Sequence, residues 1–206
     1  MAVVHNVMIR ALNAIYLQAP HIRPEQEKSF LQFAEFWYKA VEHHHRTEEE
    51  YFFPILEKMT GTKDGGLRQC VDYVRRCLSG EEKYSGSKLL EVIDSFGYVL
   101  WEHLRDEIPT FVDLRRYGKK LNGFFPRLTS EAGKTQQELG IFAGAVFLLV
   151  THDVEYEDGI HIGFPPIPAV IKWGLINVAW WVHRDWWEFA PCDCYGKMKP
   201  LRIAAS

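Results

Sequence analysis

Histidine and glutamate recur four residues apart at two places in this chain, His44 with Glu48 and His103 with Glu107. One helical turn separates the members of such a pair, so imidazole and carboxylate converge on one side of a helix. Both pairs interrupt stripes that are otherwise apolar, and His5 does the same on a third segment. A carboxylate aimed into a core is costly unless it is paired or bound to a metal. Histidines and glutamates projecting inward from several helices are how helical bundles build carboxylate-bridged metal centres. The expected ligands are therefore His5, His44, Glu48, His103 and Glu107. Without metal, His44, Glu48, His103 and Glu107 would form a buried acid–base cluster.

Four segments must position these residues. The first, roughly 2–18, lines up His5, Met8, Leu12, Ile15 and Tyr16, and Pro20 and Pro24 break it. The second runs from about Pro24 to Met59, with Phe30, Phe33, Trp37, Val41, His44, Glu48, Phe52 and Ile55 at spacings of three and four. Gly61 and the Gly65–Gly66 pair should end it. The third, about 67–78, carries Leu67, Cys70, Val71, Val74 and Cys77 on its stripe. The fourth begins near Ser87 as N-cap and aligns Leu89, Val92, Ile93, Phe96, Leu100, His103 and Glu107, with Pro109 to kink or stop it. Four amphipathic helices joined by short turns predict an all-α, antiparallel four-helix bundle.

From Leu121 the texture changes, as Gly, Pro and aromatic residues thicken around two apolar helical runs near 136–151 and 168–187. The Phe164–Pro168 stretch between them should be extended. The reading is a bundle at 1–120 and a helical, aromatic-rich C-terminal appendage at 121–206, docked on the bundle as one structural unit.

Composition removes several classes. Lys and Arg number 24 against 27 Asp and Glu, a balance that recruits neither nucleic acid nor an anionic membrane. The apolar run Ile141–Val150 is far short of the ~20 residues a membrane helix needs. The N-terminus does not read as a signal peptide, and four cysteines make no disulfide framework, so a cytoplasmic location is expected. Cys192 and Cys194 lack the spacing of a metal site. His43 should face solvent and His45 the boundary. His152 and His183 read as structural hydrogen-bonding residues, and His21 and His161 as exposed.

The stretch His44-His45-Arg46-Thr47-Glu48-Glu49-Glu50-Tyr51-Phe52-Phe53-Pro54 resembles the HHxxEExxxFP signature of hemerythrin-like (HHE cation-binding) domains. Trp101 to Pro109 resembles the second half of that pattern, His5 to Arg10 the first-helix ligand segment, and Trp187 to Leu201 the extension of fungal members. The resemblance implies two irons held by five histidines and two bridging carboxylates. His5 and His44 would serve one iron, His103 the other, with Glu48 and Glu107 as bridges. The family's third helix normally adds His-x-x-x-His, but here the matching positions look like Cys70 and Val74. The resemblance thus implies a depleted site holding one iron, with manganese, zinc or no ion as alternatives and the Cys70 sulfur as a further ligand. Reversible O2 carriage, which needs both irons, is not expected.

Two functions remain from this reading. One is an enzyme on a hydrophobic small molecule of secondary metabolism, by oxidation or oxygenation, or by metal-independent cyclisation or isomerisation. Its pocket would draw on Trp37, Cys70, Val74, Phe96 and Trp101, with tryptophans of the appendage. The other is non-catalytic iron or metal binding for storage, sensing or O2 binding.

Overall fold

Helix α1, Ala2–Gln18, turns one face inward at His5, Met8, Ala11, Leu12, Ile15 and Gln18. Pro20 follows in a short 3-10 turn, Ala19–His21, because its ring cannot continue the ladder. The structure, a computed structural model, describes residues 2–51, 65–113 and 140–203, the side chains at 46–51, 65–66 and 110–111 excepted. Phe52, Ile55, the expected helix end near Met59 and the boundary at 120 lie outside the described residues.

Helix α2, Glu27–Tyr51, buries Phe30, Phe33, Trp37 and Val41, each at most 1% exposed. Gly65 opens α3, Gly65–Ser79, rather than closing the preceding helix. Leu67, Cys70, Val71, Tyr73 and Val74 pack this helix along α2. Gly80, at φ +80°, ends it in the left-handed conformation that glycine adopts without a Cβ clash.

The fourth expected helix is two. Helix α4 spans Gly86–Asp94 and α5 spans Gly97–Asp113. Between them Phe96 turns inward and stacks on Trp37 at 6.4 Å. The cap is Ser85, not Ser87: its side chain accepts from the Lys88 N–H at 3.4 Å. Tyr73 fixes that start, since its hydroxyl bonds both the N–H and the carbonyl of Ser85. Pro109 does not stop α5, which continues to Asp113. The backbone N–H it lacks would have met the carbonyl of Arg105, an exposed residue whose carbonyl water can reach.

Helix α6, Ile141–Thr151, lies against α1 and α2, with Phe147 5.4 Å from Phe36 and Arg10 Nη1 donating to the Thr151 carbonyl at 3.1 Å. The chain returns through α7, Ala169–Gly174, a π-helical turn at Leu175–Ala179, then Trp180–Val182 and Arg184–Trp187. Trp187 is fully buried against Phe33 and Phe36, and Phe189 sits edge-on to Phe30 at 5.3 Å. Trp173 and Trp181 are exposed, so part of the aromatic surface of the appendage stays outside the core. Among the described residues there is no strand, only an isolated bridge between Cys192 and Met198, and no helix long and apolar enough to cross a membrane. The molecule is all-α.

Candidate metal centre

Three helices bring their polar interruptions to one point. His5 from the first turns of α1, His44 from α2 and Glu107 from α5 present ligand atoms that all lie within 4.8 Å of one another. His5 Nδ1 faces the Leu104 carbonyl at 2.8 Å. As the carbonyl only accepts, Nδ1 carries a proton toward it, and the ring turns Nε2 toward Glu107 Oε2, 3.3 Å away. A backbone carbonyl holding the second ring nitrogen is the usual support of a metal-ligating histidine.

Burial keeps His44 neutral: its pKa lies well below the ordinary value, first through desolvation and then through the neighbouring His5 and His45. A neutral imidazole is the ligating form. Glu107 is 8% exposed, and its Oε2 is buried without a hydrogen-bond partner among the described residues. Such an oxygen costs free energy unless a cation or proton donor meets it. The donor set therefore fits a divalent cation of the iron, manganese or zinc type, for which nitrogen and carboxylate oxygen are suited.

The other oxygen of Glu107 faces the opposite way. Oε1 stands 3.0 Å from Nε2 of His103, whose side chain is 31% exposed. His103 is thus the solvent-facing end of the cluster. Glu48 lies on α2 one turn after His44, but its side chain is outside the described residues.

His45, expected at the boundary, is intermediate in burial and sits beside the cluster. Its ring stands 5.0 Å from that of His103, edge-on, and its Nε2 is buried without a hydrogen-bond partner among the described residues. Desolvation, then His103, lowers its pKa to about 4. The signal was present: His45 follows Val41 by four residues and Trp37 by eight, so it continues their stripe just as His44 does at Val41 plus three.

The expected pocket residues behave differently. Trp37, Cys70, Val74 and Phe96 are buried core, and Trp37 spends its Nε1–H on the Met8 carbonyl at 3.0 Å. Burial pushes the Cys70 thiol up to about 12, and Cys70 is not in the converging donor set. Trp101 is 41% exposed, with the Arg105 guanidinium over its ring, because it sits about 200° around α5 from His103. It lines no interior surface. His152 Nε2–H donates to the His161 carbonyl at 3.0 Å, a structural tie, and His183 stacks on Trp186.

Residues 1–113 match the family model of the hemerythrin HHE cation-binding domain. The chain is 31% identical over 220 residues to the dimeric xanthone biosynthesis cluster protein R11 of Cryptosporiopsis sp. (strain 8999), covering 96% of this chain and 79% of that protein. No solved structure matches the chain.

Proposed function

Because the chain belongs to the hemerythrin HHE cation-binding family, we propose that it is a metal-dependent enzyme acting on a hydrophobic small molecule of secondary metabolism. The observation that carries this is the convergence of His5, His44 and Glu107. Two histidines and one carboxylate are the ligand set of non-haem iron(II) oxygenases, which makes iron the proposed ion. When bound, iron would supply one-electron and O2 chemistry to a substrate beside it. Relative to its family the centre is depleted, since α3 contains no histidine.

The chain's own residues supply the rest. Neutral His44 presents its lone pair without first losing a proton, and the Leu104 carbonyl fixes the ring of His5. Glu107 holds the shared negative charge. His103, in contact with Glu107 Oε1 and partly open to water, orients that carboxylate from the solvent side. The opening at His103 is the side from which a substrate approaches. The xanthone-cluster relative supports a polycyclic aromatic substrate. Four cysteines without a disulfide fit a cytosolic setting.

The test is conversion of a panel of aromatic polyketides by the iron-loaded chain, followed by mass spectrometry with and without O2. An O2-dependent mass change that His44→Ala lowers by 100-fold or more (about 3 kcal/mol of barrier) is the expected result. Mass-neutral conversion by the metal-free chain would instead establish cyclisation or isomerisation. Iron binding without conversion of any member would favour a storage or sensing role.

A further inference from the structure

We infer that His45 is a metal ligand, and that with His103 and Glu107 it forms a second ion position beside the first. This rests on the metal-binding reading above and extends it to residues outside the family pattern. The two oxygens of Glu107 point to different partners, Oε2 to His5 at 3.3 Å and Oε1 to His103 at 3.0 Å. A carboxylate divided in this way can serve two ions, one on each side.

On the Oε2 side stand His5 and His44, and on the Oε1 side stand His103 and His45. The rings of each pair approach edge-on at nearly equal separations, 5.1 Å for His5 with His44 and 5.0 Å for His45 with His103. Each side thereby has two imidazoles and a share of one carboxylate. The Nε2 of His45 is buried and meets no hydrogen-bond partner among the described residues, where leucine would pack at lower cost.

The arrangement also answers the loss on α3. That helix offers Cys70 and Val74 where histidines would be needed, and both are buried core residues. The consecutive pair His44-His45 divides its rings between the two sides, so α2 supplies one ligand to each position. The second position is the weaker one, since His45 and His103 are not in the tightly convergent set.

The experiment is anaerobic loading of the chelator-stripped full chain with ferrous iron, then desalting and elemental analysis. The wild type should retain two ions per chain, His45→Ala one, and His45→Glu two again, since a carboxylate can replace the imidazole. After oxidation, paired ferric ions sharing Glu107 should couple and lose their paramagnetic resonance, whereas His45→Ala should show an isolated high-spin ferric signal. Circular dichroism establishes that each variant is folded, and His45→Gln replaces the alanine variant if that one is not. One ion in both wild type and His45→Ala would overturn the second position and leave the first intact. Two ions in folded His45→Ala would overturn the role of His45. No ion in the wild type would overturn this inference and the metal-based function together.

Discussion

His44 and His45 sit next to each other on α2, and burial drives both pKa values down, that of His45 to about 4. The sign of the effect on stability follows from linkage. In the unfolded chain each histidine takes up a proton near its ordinary value of 6.5, whereas in the folded, metal-free chain it does not until far lower pH. Between those values the unfolded state binds more protons. The stability of the metal-free protein should therefore fall as pH drops from about 7 to about 4, and the His45 contribution should be flat below that. Thermal unfolding at a series of pH values checks this against His45→Gln, which should flatten the slope by about one proton. Equal slopes would show that His45 is solvated in the empty centre. Glu107 acts at the same scale, giving one oxygen to each flank of the centre.

At the scale of elements, α4 seats closely on the turn after α1. A Cβ on Gly86 would stand 2.3 Å from the Ala19 carbonyl oxygen, inside any real contact distance. The Tyr84 hydroxyl donates to that same carbonyl at 2.6 Å. Gly86→Ala should therefore destabilise the fold by about 1–3 kcal/mol, read as a lower urea midpoint with unchanged slope. The periodic stripes of α1, α2 and α3 were plain in the sequence because Phe30, Phe33, Trp37, Val41 and Val74 are apolar at helical spacing and do end up buried. The break at Ser95–Phe96 was not, because Phe96 keeps the stripe in phase across it and is held by Trp37, a contact remote in sequence. Of the two outcomes expected at Pro109, a kink or a stop, the stop is excluded, since α5 runs on to Asp113. His5, His44, His103 and Glu107 were legible as interruptions of apolar faces. His45 was legible only as a boundary residue, because adjacent helical positions differ by about 100° and one stripe cannot show which of two neighbours meets a remote helix. Trp101 was miscast because an aromatic near a ligand suggests a pocket, whereas its position around α5 points it to solvent.

Across the whole molecule the far end of the chain is fastened to its beginning. Gln18, fully buried, donates from Nε2 to the carbonyls of Ala14 and Phe189, both at 2.8 Å, and its Oε1 accepts from the Arg202 N–H at 3.0 Å. Gln18→Leu leaves a buried carbonyl at Phe189 and an N–H at Arg202 unmet, so unfolding should become easier by about 2–5 kcal/mol over the two groups. Iron content should not change, because His5 and Gln18 are thirteen residues apart on α1, roughly 20 Å along its axis. Chemical denaturation combined with elemental analysis measures both, and a loss of iron would show that the two ends are coupled. Most helices loosen from their termini inward, a turn at a time. Helix α1 is clasped at its first turns by the Leu104 carbonyl and at its last by Phe189 and Arg202. It has no slack end from which to unwind, so its backbone amides should open to solvent hydrogen exchange as a single block.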